Sequence, residues 1–454
     1  MESKETKVVE SAHQKHELAQ AIISKECTIG IMGLGYVGLP LARAVVNQGY
    51  NCIGFDKNIK RIEKLNAGLT YIKTLSNEDI ISLNESSKFF PTTNEKEIAK
   101  MDVILICVPT PLTKNREPDM NYVSSATRTI AFQLRKGQLI ILESTTYPGT
   151  TQGLLSPMLE ESGLKIGKDI YLAYSPERED PGNVAYNTST IPKVVGADDD
   201  DSRELSTIFY KQIITAVAEV STSATAEAVK LTENIFRFVN IALVNELKCI
   251  FSKMDIDIWE VIDAAKTKPF GYMPFYPGPG VGGHCIPIDP FYLTLRAREF
   301  GIPTQLVELS GNINKQMGDY VIEKLRKEMD LRFGKGLRNS KILVIGVAYK
   351  KNVDDLRESP SLKIIQDLLD NKAEVDYYDP LISTIDHDSE YPRLVGMKSI
   401  SLTIEAIKSH DAIVVCTDHD SVDYKTVIEN SNLIIDTRNI FKNKNLEGSN
   451  VVKA

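Results

Sequence analysis

The chain has 454 residues, 42% hydrophobic and 25% charged, which is the balance of an ordinary water-soluble globular protein. That length exceeds what a single hydrophobic core organises, so two or three domains are expected. With 53 basic against 61 acidic residues the net charge is −8, which excludes the global positive field that nonspecific nucleic-acid binding requires.

Residues 1–26 are polar and charged with no apolar core, so they read as a helical extension and not as a secretion signal. Cys27–Met32 is a short apolar strand that runs directly into Gly33-Leu34-Gly35-Tyr36-Val37-Gly38 and a helical run to Val46. Asn51–Asp56 follows as a second strand ending in an acid. This order of strand, Gly-x-Gly-x-x-Gly, helix, strand and acid is the fingerprint of a dinucleotide site. Gly33 permits the tight turn, Gly35 clears the approach of a pyrophosphate, and Gly38 lets the helix pack on the strand. Tyr36 and Val37 lie at the helix start, where free N–H groups face phosphates. Asp56 would accept hydrogen bonds from the adenosine ribose and repel a 2′-phosphate, which favours NAD over NADP. Arg61 tempers that preference, since it could serve a 2′-phosphate or stack on adenine.

The first domain, 27–220, continues with strands at 102–108 and 138–143, ending at Thr110 and at Ser144-Thr145. Ligands of open parallel sheets sit at such strand ends, so both threonines are placed for the cofactor, or for capping the next helix. The strand Tyr171–Tyr174 leads into Ser175-Pro176-Glu177-Arg178-Glu179-Asp180-Pro181, where Glu177 could act as a base and Arg178 as an anion contact. Charged turns are more often simply solvated. Lys193–Gly196 is expected to close the sheet.

From about residue 221 to 330 the period becomes helical. Ser223–Met254 reads as one long helix on which Lys230, Asn234 and Arg237 share a face. A second helix is expected at Asp257, with Glu260 completing a capping box. The segment Lys268–Gly280 is rich in proline and glycine, and Gly282-Gly283-His284-Cys285-Ile286-Pro287-Ile288-Asp289 follows. Glycine there allows close approach of a substrate to the Cys285 thiol, and proline stiffens the turn. Past a boundary at 332–337, residues 331–454 return to alternating strands and helices without the full glycine fingerprint, as expected of a domain that binds something other than a dinucleotide. Lys350, Lys351, Arg357 and Arg438 near its strand ends could neutralise a diphosphate.

The six cysteines are scattered and read as reduced thiols of a cytoplasmic protein. The six histidines form no ligand spacing, so no metal site is expected. No apolar run reaches membrane-spanning length, and no membrane partner is expected.

Together, Gly33–Gly38 with Asp56, Pro109-Thr110-Pro111, Glu143-Ser144-Thr145, Ser175-Pro176-Glu177, Lys230 with Asn234, Gly282–Cys285 with Asp289, Tyr349-Lys350 with Arg357–Pro360, and Asp436–Asn439 resemble the UDP-glucose/GDP-mannose dehydrogenase family, in order over residues 27–445. The resemblance implies an α/β protein with two Rossmann-like parallel-sheet domains joined by a long central helix that dimerises. It implies oxidation of a sugar C6 alcohol to a carboxylate with two NAD, through a thiohemiacetal and thioester on Cys285. On matching positions, Lys230 assists the thiolate and, with Asn234, holds the C6 oxyanion. Asp289 and Glu177 are the candidates for base and water activation, and Thr145 belongs to the catalytic set. Arg178, Glu179, Arg237, Gly280, Tyr349, Lys350 and Arg438 would bind the UDP-sugar, and Arg357 would face the cofactor.

Ile288 and Pro181 depart from the charged residues of the UDP-glucose branch. The Phe275–Gly280 approach and His284–Pro287 look like the branch acting on UDP-N-acetylhexosamines, and Lys268–Gly271 most like its N-acetylglucosamine members. N-acetylmannosamine and N-acetylgalactosamine are the close alternatives. A two-electron β-hydroxyacid dehydrogenase would share the helix with its lysine and asparagine but needs neither Cys285 nor a third region. A nucleotide-sugar sensor would not need Lys230, Asn234, Cys285 and Asp289 intact.

Overall fold

The computed structural model describes residues 4–72, 74–111, 113, 118–178, 190–283, 285–386, 388 and 390–454. They form two compact units, Met1–Glu233 and Asn234–Ala454, and the division falls inside the helix Ser223–Lys253.

In the first unit β1 (Thr28–Met32), β2 (Asn51–Phe55), β3 (Phe89–Thr92), β4 (Val103–Ile106), β5 (Leu139–Leu142), β6 (Tyr171–Tyr174), β7 (Lys193–Gly196) and β8 (Val217–Val220) make one sheet in the order β3-β2-β1-β4-β5-β6-β7-β8. Every neighbouring pair is parallel except β6 and β7, which meet antiparallel at Tyr174 and Gly196. The sheet does not close at Lys193–Gly196 as the sequence suggests, because β8 adds one more strand. The central strands are continuous apolar runs because both their faces are covered. Val103, Leu105, Leu139 and Ile141 enter one core, and Ile104, Ile106, Ile140 and Leu142 enter the other. Each such side chain contributes about 2 kcal/mol by leaving water.

The polar extension is helical from Lys4 to Ser24. Leu18 and Ile22 join the core, and the Tyr50 hydroxyl donates to Ile22 O at 2.8 Å. Lys15 pairs with Asp201 at 2.5 Å and Glu204 at 2.7 Å on the helix Asp200–Ile213. Apolar residues at one-turn spacing and one cation thus fasten the helical extension that the sequence suggests.

In the second unit β9 (Lys341–Ile345), β10 (Glu374–Tyr378), β11 (Ala412–Val415), β12 (Ile434–Asp436) and β13 (Val451–Lys453) form a wholly parallel sheet in the order β10-β9-β11-β12-β13. The helix Gln305–Phe333 precedes it and stops at Gly334, whose φ of +58° suits glycine. The helix Ile258–Ala265 is capped by Asp257 accepting from Trp259 N at 3.1 Å, while Lys442 and Lys453 hold the other carboxylate oxygen. Lys248 is buried beside Trp259 and Tyr320, with its Nζ 5.0 and 5.6 Å from the ring centres. Burial pushes its pKa down to about 7. In both sheets the strand order reverses beside the first strand, between β1 and β4 and between β9 and β11. Open parallel sheets bind ligands at the carboxyl ends of strands flanking such a reversal.

Candidate active site

At the first reversal, β1 runs into Gly33 at φ +96°, where a Cβ would lie 2.9 Å from Cys107 O past β4. The helix Gly38–Asn47 opens so close to this turn that a Cβ on Gly38 would stand 1.9 Å from Gly33 O. Above Gly35 a Cβ would meet nothing within 4 Å, so the turn leaves open space at the helix start. That is the cradle a pyrophosphate needs, and the residues present fit a dinucleotide. Tyr36 is exposed, and Val37 stands at the N-cap position with no side-chain capping bond. Asp56, buried just past β2, accepts from Leu34 N at 3.0 Å and Asn58 N at 2.9 Å. Arg61 pairs with the same carboxylate at 3.1 Å and lies over the Tyr71 ring at 5.5 Å. The arginine is thus tied to the acid that disfavours a 2′-phosphate. Thr110 and Thr145 are half-buried in the segments following β4 and β5.

Beneath the ends of β5 and β6 lies a buried charge cluster. Lys193 Nζ donates to Glu143 Oε2 at 2.7 Å and to Glu177 Oε2 at 3.1 Å, and the Tyr210 hydroxyl donates to Glu143 Oε1. Burial pushes the Glu143 carboxyl above its usual range. Burial also works against the Lys193 ammonium, but the two carboxylates hold its pKa above that of an ordinary lysine. Glu177, a candidate base, is therefore held by a cation. Arg178 forks onto Glu233 at 3.3 and 2.6 Å and donates to Pro192 O at 2.7 Å, which ties the loop after β6 to the long helix. Three residues before Lys230, buried Glu227 accepts from Gly149 N, Thr151 N and Thr151 Oγ1. Burial pushes its carboxyl up to about 7. Glu227 ties the turn preceding Lys230, itself buried, to the segment that follows Thr145.

In the second unit Cys285 starts a tight turn whose carbonyl accepts from Ile288 N at 3.1 Å and Asp289 N at 2.8 Å. Cys285 takes part in no disulfide and is half-buried. Asp289 is the first residue of the helix Asp289–Glu299 and is buried. Asn234 Nδ2 donates to Asp289 Oδ2 at 2.5 Å, and Arg237 donates to Asn234 Oδ1. Asn234, Arg237 and Asp289 are thereby brought together at the turn carrying Cys285. The preceding glycines lie against the sheet loop: a Cβ on Gly282 would be 2.7 Å from Tyr349 Cβ, and one on Gly283 2.9 Å from Tyr349 Cε2. Gly283 N donates to Arg357 O at 2.9 Å, and Gly280 at φ +140° abuts Pro360. Lys350 is half-buried in the same loop, and the Arg357 guanidinium pairs with Asp355 at 2.6 Å. Arg438 donates to Cys416 O at 2.8 Å beside Gly278. Glu179, Pro181 and His284 lie outside the described residues.

Sequence reading did not single out Lys193, Glu227, Glu233, Asp379 or His419 for the site. Glu227, one helical turn before Lys230, could have been found from spacing. The others meet partners far along the chain and leave no local pattern. Among the described residues no group of three His, Cys, Asp or Glu side chains could hold a metal, and no helix is long and apolar enough to cross a membrane.

Three profiles of the UDP-glucose/GDP-mannose dehydrogenase family match in order: the NAD binding domain over residues 27–214, the central domain over 224–316 and the UDP binding domain over 343–443. The chain is 38% identical to a UDP-N-acetyl-D-glucosamine 6-dehydrogenase of Pseudomonas aeruginosa, over 81% of this chain and 86% of that protein. It is 36% identical to a UDP-N-acetyl-D-mannosamine dehydrogenase of Methanococcus aeolicus, over 88% of this chain and 86% of that one. The solved structure of a UDP-D-ManNAc dehydrogenase from Pyrococcus horikoshii superposes with a TM-score of 0.84 at 31% identity, covering 94% of this chain and 98% of that one.

Proposed function

Since the chain belongs to the UDP-glucose/GDP-mannose dehydrogenase family, and is an NAD-dependent oxidoreductase, we propose that it oxidises the C6 alcohol of a UDP-N-acetylhexosamine to the uronic acid for surface polysaccharide synthesis. UDP-N-acetylglucosamine is the first candidate, with UDP-N-acetylmannosamine next. The observation that carries the reading is the turn from Cys285 to Asp289, closed by the Asp289 N bond to the Cys285 carbonyl, with the buried Asp289 side chain held by Asn234.

NAD, when bound, would supply the hydride acceptor for both oxidations; Gly33, Gly35, Tyr36, Val37 and Gly38 would cradle it, Asp56 would hold its ribose, and Arg61, Thr110, Thr145 and Arg357 would contact it. Lys230 and Asn234 hold the C6 oxygen as its negative charge grows. Once C6 reaches the aldehyde level, Cys285 Sγ bonds to it and Lys230 protonates the oxygen, giving a thiohemiacetal. That covalent tether keeps C6 in place for the second oxidation, which leaves a thioester. A water deprotonated by Asp289 or Glu177 then adds to the thioester carbon, the C–S bond breaks, and the Cys285 thiolate is restored. The buried Asn234–Asp289 bond orients Asp289 for that step, and Lys193 holds Glu177 in place through its hydrogen bond. Tyr349, Lys350 and Arg438, with Arg178, Glu179, Arg237 and Gly280, are assigned to the UDP-sugar.

We place the enzyme in the cytoplasm, a reading supported by six cysteines that form no disulfide. A homodimer is supported by Phe236, Leu243, Ile250 and Met254, which lie exposed on or next to the long helix.

A panel of UDP-sugars assayed with NAD tests the substrate. UDP-N-acetylglucosamine is expected to give a kcat/KM about tenfold or more above its epimers and UDP-glucose, the order expected when a pocket rejects a misplaced group. A higher value for UDP-N-acetylmannosamine would move the assignment to that epimer. No NADH from any N-acetylhexosamine would sink it.

A further inference from the structure

The loop after β9 carries Tyr349 and Lys350, and two side chains with no solvent exposure hold it from below. Asp379, the residue after β10, accepts from Val347 N at 2.8 Å and Ala348 N at 3.1 Å on one oxygen, and from Leu381 N and Ile382 N on the other. His419, past β11, meets the first oxygen through Nε2 at 3.1 Å, and its Nδ1 accepts from Asn352 N at 3.0 Å. Because Nδ1 accepts from a backbone amide, the ring carries its proton on Nε2 and donates to Asp379. Burial alone would lift the Asp379 carboxyl, but the bonds from His419 and the amides hold it below the ordinary range. Both ends of the 347–352 segment therefore hang on one buried histidine–aspartate pair.

The first sheet shows what is unusual here. Gly33 N donates to Phe55 O at 2.8 Å and Gly346 N to Tyr378 O at 2.9 Å, so the two turns are built alike. Asp56 stands after β2 where Asp379 stands after β10, yet Asp56 pairs with a half-exposed arginine while Asp379 is sealed under its loop by His419. Both acids accept from backbone N–H groups, Asp56 from those of Leu34 and Asn58, but only Asp379 has a buried histidine as its side-chain partner.

We propose that His419 and Asp379 are positioning residues that set the Tyr349–Lys350 loop for the nucleotide-sugar, and so govern its affinity. The proposal rests on the assignment of Tyr349 and Lys350 to the UDP-sugar.

The test uses full-length protein, with UDP and NAD binding measured by calorimetry and steady-state kinetics on the UDP-sugar. His419→Ala is expected to weaken UDP binding, and to raise KM for the sugar, roughly tenfold or more, the scale of a lost buried hydrogen bond with an orphaned partner. NAD affinity and kcat at saturating sugar are expected to stay within about twofold. His419→Gln, whose amide offers one donor and one acceptor, is expected to recover most of the loss. Unchanged UDP affinity in His419→Ala, with Lys350→Ala weakened, would overturn the positioning role. So would equal losses of UDP and NAD binding, which mark general destabilisation. Unchanged UDP affinity in Lys350→Ala would instead overturn the assignment of the loop, and the proposal with it.

Discussion

A Cys285→Ser variant is expected to lose steady-state uronate formation by about a thousandfold or more, the scale of removing a covalent nucleophile. The swap changes one atom, and the bonds that shape the turn run from Ile288 N and Asp289 N to the residue 285 carbonyl, so serine leaves them in place. The Asn234–Asp289 bond is also untouched. What is lost is chemical. A hydroxyl is almost never ionised at neutral pH, and an oxygen ester releases its alkoxide far more slowly than a thioester releases a thiolate. Thermal midpoint and NAD affinity are expected to match the parent, which separates lost chemistry from lost structure. An unchanged turnover rate would remove Cys285 from the mechanism.

Lys193→Met is expected to destabilise the first unit by about 3–5 kcal/mol, because it leaves the buried Glu143, and the half-buried Glu177, without this cation. For a unit of this size that lowers the thermal midpoint by roughly 10 °C. The deficit is expected to depend on pH in a defined direction. Without Lys193 a buried carboxyl holds its proton to higher pH in the folded state than in the unfolded state. The folded state then binds more protons, and stability falls as pH rises through that window. Because the Glu143 carboxyl is already raised with Lys193 present and rises further without it, the deficit grows with pH and shrinks as the solution is acidified. Pairing Lys193→Met with Glu143→Gln is expected to recover part of the loss, since removing both charges avoids the orphan. A single substitution with no loss of stability, or a loss that grows on acidification, would contradict this account of the cluster.

Most strands legible in the sequence are those buried on both faces, and the edge strand Glu374–Tyr378, buried on one face only, is legible from its alternation. Val103–Ile106, Leu139–Leu142, Lys341–Ile345 and Ala412–Val415 are β-branched or leucine runs bounded by turns, and nothing else suits such runs so well. The strands that went unread, β3, β8 and β13, are the edges of their sheets. An edge strand needs only one apolar face and tolerates proline, as Pro91 does in β3 and the exposed Glu219 does in β8. The cofactor turn was readable because glycine spacing is local. The grouping of Asn234 with Asp289 was readable from family resemblance alone, and its hydrogen bond confirms only that the two side chains meet. Lys193 looks in sequence like the first residue of a strand, and His419 like part of a polar turn. Their partners lie 50 and 16 residues away for Lys193 and 40 for His419, distances over which periodicity says nothing.

The central claim is that one site removes four electrons from C6 without releasing the aldehyde. Its most direct test is the ratio of NADH formed to UDP-sugar consumed, measured together with the product and an aldehyde trap. Two NADH for each uronic acid, with nothing captured by the trap, is the expected result. One NADH per sugar, with the aldehyde recovered in the trap, would contradict it.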